Sequence, residues 1–261
     1  MTLDGSRSTT IVRGAPRALG RTNWIEPATT PLRVLQCGRI RTDAHMPPVH
    51  VEPGEFETAL VCLDGAGWVR VGTERFRVER YDTIYVPRDT HFMVWSATGM
   101  VDIIEARAPV EERHPLQYVS YADQQAESSV QHPGADPRSC VMLGDHAAAG
   151  RVSVGVIAGD ARDAGAWPLV PDLPGAEVAC CYARVPTSGQ PMPVEWTDGA
   201  TSHLSHVHEG DLVVGPHRWH VDARMSSGTL AVLWMLAAER EVIGDRFRLP
   251  AHSYSRSRIV P

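Results

Sequence analysis

The sequence contains no lysine, and all 25 of its basic residues are arginine. Without lysine the chain cannot form a Schiff base with a carbonyl substrate, anchor pyridoxal phosphate or supply the lysine of a P-loop. Arginine carries a planar guanidinium that can bind a carboxylate through two hydrogen bonds. The composition therefore excludes lysine-dependent chemistry and leaves recognition of an anionic substrate open.

Long apolar runs and an excess of positive charge are also missing. No apolar run approaches the ~18 residues that span a bilayer, and residues 1–20 lack the apolar segment of a secretory signal. The net charge of −6 offers no basic surface to nucleic acid. We therefore expect a cytoplasmic protein with neither a membrane nor a nucleic-acid partner, and a flexible tail over 1–20.

The five cysteines do not form a recognisable framework. Their number is odd, no pair has the Cys-x-x-Cys spacing, and Cys180 and Cys181 are adjacent. This pattern favours reduced thiols, with the adjacent pair in the core of a strand.

Short apolar segments between turns predict an all-β fold. The 22 glycines and 20 prolines indicate many turns, and residues 32–107 alternate or run apolar over four to eight residues at a time. A polar stretch over 120–140 separates this block from a second one of the same kind. We predict two tandem β-barrel domains, at 21–120 and 121–261, because barrels remove the exposed edges of sheets.

One short phrase occurs twice. Asp82, Pro87 and His91 follow the spacing Asp-x4-Pro-x3-His, and Asp211, Pro216 and His220 repeat it. Random placement would give about 0.1 such matches per chain, so the phrase indicates an internal repeat. In a small barrel, this phrase would place one histidine at each rim.

The first block also contains possible metal ligands. His50, Glu52 and Glu57 have the spacing His-x-Glu-x4-Glu, and His91 follows later in the chain. Two imidazoles and two carboxylates would suit a divalent Mn, Fe, Ni or Zn ion. The alternative is that Glu52 lies in a solvated turn beside Pro53 and that His91 only caps the rim.

Several phrases together resemble a known family. The phrases are "RYDTIYVPRDTHFMV", "VDIIEARAPV", "HPLQYVSYAD", "GRVSVGVIAGDARDAGAWP", "EGDLVVGPHRWHVDA" and "LAVLWMLAAERE". They are collinear over roughly residues 35–250 and resemble those of the bicupin family of 5-keto-4-deoxyuronate isomerase and 5-deoxyglucuronate isomerase.

This resemblance implies two tandem cupin domains of the jelly-roll type and a homo-oligomer. It also implies aldose–ketose isomerisation of a sugar acid in carbohydrate metabolism, with a divalent metal, usually zinc, in the second domain. Of the family's metal ligands, Glu177 and His220 carry over. The family's His-x-His segment corresponds to "AWPLVPDLPG", which contains no histidine. Without a metal, Glu177 would need a partner, for which Arg184 or His220 is a candidate.

The sequence therefore supports three functional hypotheses. The first is an isomerase of a small carboxylated sugar, with Glu57, Glu177 and His220 in catalysis and a metal at His50, Glu52, Glu57 and His91. The second is a bicupin enzyme of another type, such as a dehydratase, an epimerase or an iron-dependent oxygenase. The third is a binding protein without catalysis.

Overall fold

The computed structural model describes residues 9–131, 139–144, 148–160, 167–168, 175–185, 191–198, 201–215, 220–221, 229–241 and 258–259. In this part of the chain, strands dominate and a single helix, α1 (Tyr121–Gln131), follows the first block. The all-β prediction is confirmed. The helix occupies the polar stretch that was predicted to separate the two blocks.

The first eleven strands precede the helix. They are β1 (Thr10–Val12), β2 (Gly20–Ile25), β3 (Gln36–Asp43), β4 (Val49–Val51), β5 (Phe56–Gly65), β6 (Gly67–Val71), β7 (Glu74–Val78), β8 (Thr83–Val86), β9 (Phe92–Trp95), β10 (Met100–Pro109) and β11 (Gln117–Val119).

The other ten strands follow the helix. They are β12 (Ser139–Leu143), β13 (Val152–Asp160), β14 (Trp167–Pro168), β15 (Ala176–Arg184), β16 (Met192–Asp198), β17 (Thr201–Val207), β18 (Leu212–Gly215), β19 (His220–Val221), β20 (Thr229–Ala238) and β21 (Arg258–Ile259).

The order of strands in the sheets shows the internal repeat that the repeated Asp-x4-Pro-x3-His spacing predicts. One large sheet has the order β2-β3-β10-β5-β8-β11-β21, and the other has the order β12-β13-β20-β15-β18-β1. The smaller sheets are β4-β9-β6-β7 in the first half, and β14-β19 and β16-β17 in the second. Each strand from β2 to β10 thus has its equivalent ten strands later. The first repeat is β1–β10 and the second is β11–β20.

The two repeats exchange their leading strands. β1 pairs antiparallel with β18, with Ile11 opposite Val213, whereas β11 pairs with β8, with Tyr118 opposite Ile84. We name the N-terminal unit β2–β11 and the C-terminal unit β12–β20 with β1. Within the tail predicted over 1–20, residues 10–12 form a strand and not a flexible segment. Their β-branched sequence Thr-Ile-Val favours a strand, and this strand covers the edge of β18.

Alternation along β5 decides what each of its side chains faces. Ala59 and Val61 belong to an apolar cluster that also contains Ala179 and Cys181 of the other unit. Leu60 belongs to a second cluster, which fills the interior between the two sheets of the N-terminal unit. Successive side chains of a strand point to opposite faces. Odd positions of β5 therefore face the other unit, and even positions face the interior.

Cys180 and Cys181 are buried in β15, as the sequence predicted for this pair. All five cysteines are free and buried, and burial raises the pKa of the Cys140 thiol to about 12. The described residues include no helix with the length and hydropathy needed to cross a membrane.

Candidate functional site

His50 and His91 lie together on the outer face of the small sheet of the N-terminal unit. Nδ1 of His50 is 3.2 Å from Nε2 of His91. Val51 and Phe92, the next residues along their strands, are buried in the unit's interior, so His50 projects away from it. His50 is exposed and His91 is partly buried. The pair was predicted at a barrel opening, but alternation along β4 turns it outward.

Glu57 faces the other unit. Its carboxylate accepts the backbone N–H groups of Gly150 at 2.8 Å, Arg151 at 2.6 Å and Val152 at 2.7 Å. The hydroxyl of Tyr85 donates a fourth hydrogen bond at 2.7 Å, and the residue is 0% exposed. The predicted role of Glu57 as metal ligand and catalytic group is therefore replaced by a structural one, since its oxygens bind four donors within the fold.

Glu177 is the counterpart of Glu57 in the second repeat. Its carboxylate accepts hydrogen bonds from the backbone N–H groups of Arg33, Val34 and Leu35, with N–O distances of 2.5, 2.9 and 2.8 Å. Both sets of donors directly precede or open an equivalent strand, β3 in one case and β13 in the other. Three backbone donors of the other unit therefore bind this buried carboxylate. Of the two predicted partners, Arg184 is exposed and lies 3.8 Å from Asp64. Pairing with His220 stays a prediction.

The four predicted metal ligands are not brought together in the described part of the chain. His50 contacts His91, while Glu52 is exposed at the end of β4 and Glu57 binds the other unit. Across the described residues no group of three or more His, Cys, Asp or Glu side chains is arranged to hold a metal ion. A divalent site needs more converging ligands than two imidazoles provide. The predicted donor set thus does not fit a metal.

The structure describes the backbone of His220 in β19, opposite Pro168. Its side chain lies outside the described part of the structure, so a catalytic role for His220 stays a prediction.

In the repeated phrase, the structure assigns the clearest role to the aspartate. Asp82 accepts N–H groups from Glu79 and Tyr121, both at 2.9 Å, and the hydroxyl of Tyr118 at 3.0 Å. Tyr118 and Tyr121 lie within and just after the exchanged strand β11. The aspartate therefore closes its own turn and also holds the strand that the other repeat supplies.

Asp211 does the same in the C-terminal unit. It accepts N–H groups from His208 and Gly14 at 2.9 Å and binds the Arg13 guanidinium at 2.6 Å. Burial alone would raise the pKa of Asp211, but these hydrogen bonds and the charge of Arg13 together lower it below its ordinary value. Sequence reasoning took the histidine of the phrase as its functional residue. The signal for the structural role was the aspartate that both copies of the phrase contain.

A group of polar side chains borders the interior of the N-terminal unit, where Thr58 and Glu105 are buried, Arg21 and Arg107 are partly buried, and Asn23 is exposed. Glu105 and Arg107 follow Ile103 along β10, and all three lie on the face opposite to Ala106 and Ala108. Arg107 stands directly opposite Thr58 of β5. We name the set Arg21, Asn23, Thr58, Glu105 and Arg107 the interior polar cluster.

Contacts within the interior polar cluster leave it partly unsatisfied. Arg21 binds both oxygens of Glu105, with Nε–Oε1 at 2.7 Å and Nη2–Oε2 at 2.9 Å. Arg107 donates from Nη2 to Oδ1 of Asn23 at 3.2 Å. Nε of Arg107 and Oγ1 of Thr58 are buried without a hydrogen-bond partner. The arrangement can therefore accept a ligand that carries hydrogen-bond acceptors.

Sequence reasoning missed this cluster, although its signal is visible in "VDIIEARAPV". Glu105 and Arg107 stand two positions apart and alternate with Ala106 and Ala108. That pattern predicts charge on one face of a buried strand, which is unusual unless the charges are paired or used.

No family model matches the sequence, and no curated protein is similar to it. Solved structures share its fold. An IolB-like protein from Salmonella typhimurium superimposes with a TM-score of 0.66 at 16% identity, covering 91% of this chain and 97% of its own. A putative glyoxylate-induced protein from Pseudomonas aeruginosa has a TM-score of 0.62 at 9% identity, covering 85% of this chain and 82% of its own.

Oxalate decarboxylase from Bacillus subtilis is a third similar structure. Its TM-score is 0.59 at 8% identity, covering 92% of this chain and 79% of its own. These likenesses show the fold, which is all-β and cupin-like.

Proposed function

We propose that this chain is a cupin-type enzyme that isomerises a small carboxylated polyhydroxy carbonyl compound, of the aldose–ketose type. The interior polar cluster carries the proposal, because it places two partly buried guanidinium groups and a buried carboxylate beside the apolar interior of the N-terminal unit. The collinear resemblance to sugar-acid isomerases supports the same reaction class. The IolB-like structure supports the proposal at the level of the fold, since it superimposes over 91% of this chain.

Glu105 is the group proposed to move the proton. Arg21 donates one hydrogen bond to each carboxylate oxygen of Glu105. Each of these oxygens has a second lone pair that can accept a proton. In the proposed reaction the C2–H bond breaks, Glu105 takes the proton, and the electron pair forms the C1–C2 double bond of an enediol as the C1=O double bond opens and O1 gains a proton from solvent. The proton on Glu105 exchanges with solvent. Glu105 then protonates C1 while O2 releases its proton to solvent and the C2=O double bond forms, or it protonates C2 in the reverse step.

Exchange with solvent deuterium tests the reaction directly. D-glucuronate in D₂O is expected to lose its C2 proton signal in NMR spectra in the presence of the protein. Glu105→Gln should abolish the exchange, whereas Glu55→Gln, at an exposed position, should not change it. Exchange at an undiminished rate in Glu105→Gln would remove Glu105 from the mechanism.

A binding protein without catalysis is the second candidate. The bidentate pairing of Glu105 with Arg21 favours it, since both oxygens of the carboxylate already bind a guanidinium. Binding of D-glucuronate without any exchange of its C2 proton would select this function over the isomerase.

We also propose that the chain is a homo-oligomer, as the family resemblance implies. Light scattering after size-exclusion chromatography measures the mass in solution, and a mass of one chain would contradict the proposal.

A further inference from the structure

The interior polar cluster has a natural comparison within the same molecule. In register, Glu57 pairs with Ala108 and Glu177 pairs with Ala237. The positions occupied by Thr58 and Arg107 in the first repeat are therefore occupied by Val178 and Leu236 in the second.

Glu105 is likewise replaced by Trp234, and all three replacing side chains in the C-terminal unit are buried in its apolar core. The glycine opposite each is kept, with Gly38 facing Glu105 and Gly155 facing Trp234. The repeated fold thus forms with apolar residues at these places. The polar residues of the N-terminal unit are not needed to build the sheet.

Arg107 forms no salt bridge with an acidic side chain among the described residues. Its neighbour Glu105 is bound to Arg21 through both oxygens, and its own guanidinium contacts the amide of Asn23 and lies 5.3 Å from the centre of the Phe56 ring. Burial, and next the charge of Arg21, lower the pKa of Arg107, although the charges of Glu105 and Glu26 raise it in part. An anion beside it would remove this imbalance of charge.

Thr58 supplies an independent observation. The residue is 1% exposed and its hydroxyl has no hydrogen-bond partner, although a buried hydroxyl without a partner costs about 1–3 kcal/mol. Thr58 and Arg107 are opposite each other on the interior face, so their Cβ atoms lie about 5 Å apart. A single carboxylate can bridge a guanidinium and a hydroxyl at that separation.

We propose that Arg107 and Thr58 form a carboxylate-binding subsite inside the N-terminal unit, which takes a small organic acid. Nε of Arg107 and the Thr58 hydroxyl donate to the two carboxylate oxygens, and the hydrogen bond from Nη2 to Asn23 holds the guanidinium in place. This subsite deepens the proposed function by naming the groups that select an acid over a neutral sugar. Its ligand binding is measurable without turnover.

Titration calorimetry on the full chain tests the subsite with four probes: D-glucuronate, acetate, D-glucose and inorganic sulfate. D-glucuronate is expected to bind, acetate to compete with it, and D-glucose and sulfate to leave its binding unchanged. Failure of both carboxylates to bind, or equal binding of sulfate, would overturn the proposal.

The variants take their residues from the second repeat. Arg107→Leu should weaken D-glucuronate binding about 100-fold or more, and Thr58→Val about 10-fold, as expected for a lost hydrogen bond to a charged group. Arg70→Leu, on the exposed face, is the matched control and should bind as the natural chain does. Unchanged binding in Arg107→Leu would refute the subsite.

A second variant covers the possibility that Arg107→Leu does not fold. Arg107→Lys keeps the charge but loses the planar guanidinium, and it should weaken D-glucuronate binding at least 10-fold while its circular dichroism spectrum stays that of the natural chain. Equal affinity in Arg107→Lys would contradict recognition of the carboxylate by Nε of the guanidinium. Binding of D-glucuronate without C2 proton exchange would uphold the subsite and overturn the isomerase.

Discussion

Glu57 and Glu177 occupy equivalent positions in the two repeats, and each accepts three consecutive backbone N–H groups from the other unit. The two carboxylates thus connect the units reciprocally. They lie at the border of an apolar cluster that contains residues of both, where an unsatisfied N–H group would be costly.

Replacing either glutamate should destabilise the whole chain. Glu57→Gln and Glu177→Gln each turn one acceptor oxygen into an amide that faces N–H donors, so we expect a loss of about 3 kcal/mol in the free energy of unfolding. Urea denaturation followed by tryptophan fluorescence measures it. Glu55→Gln and Glu209→Gln, at exposed positions, should stay within ~0.5 kcal/mol of the natural chain.

The exchanged strand β1 should be essential for stability. Removing residues 1–14 uncovers the edge of β18 and deprives Asp211 of Arg13 and Gly14. We expect a lower urea midpoint and aggregation through the open edge, detected by light scattering. Removing only residues 1–8, which leaves β1 intact, is the control. Equal stability of the two truncated chains would show that the exchange contributes nothing.

Asp211 should make stability depend on acidic pH. Its pKa in the folded chain is lowered relative to about 3.9 in an unfolded chain. The ionised carboxylate therefore stabilises the fold above about pH 4, and this contribution is lost as the pH falls through the folded-state pKa.

Asp211→Asn should be less stable than the natural chain at pH 7 by about 1–3 kcal/mol, and the difference should shrink towards pH ~3. Urea denaturation at both pH values measures it. A difference that stays constant with pH would contradict the role of the charge.

The cysteines should not react in the native state. All five are buried, and burial raises the pKa of Cys140 to about 12 and, more than any nearby charge, that of Cys62 to about 12 as well. Because the thiolate is the nucleophile, a disulfide reagent at pH 8 should label no thiol in the folded protein and all five in guanidinium. Rapid labelling of the native chain would indicate an opening of the core.

The sequence was sufficient to predict the strands and the repeat, because both depend on local patterns. Short apolar segments between turns predict β structure, and the repeated phrase around Asp82 and Asp211 indicates two copies of one unit. The pairing of β1 with β18 could not be predicted in this way. A short apolar strand carries no local signal for which of two similar edges it covers.

The candidate site was harder, because a shift of one residue changes the face of a strand. Glu57 matched the spacing of a metal ligand, yet its neighbour Thr58 is the residue that faces the interior. The cluster around Arg107 depends on strands that are distant in the sequence. Only the register of β10 with β5 brings Arg107 beside Thr58.

The reciprocal strand exchange has a consequence for any chain that carries one repeat alone. Such a half-length protein would keep its leading strand but lack the sheet edge of the other repeat with which this strand pairs. Its own sheet edge, which the leading strand of the other repeat covers here, would be unpaired. Two identical copies could each pair their leading strand with the open edge of the other, related by a twofold axis, as in a domain-swapped dimer. The present polypeptide pairs both strands within one molecule, so this pairing does not depend on protein concentration.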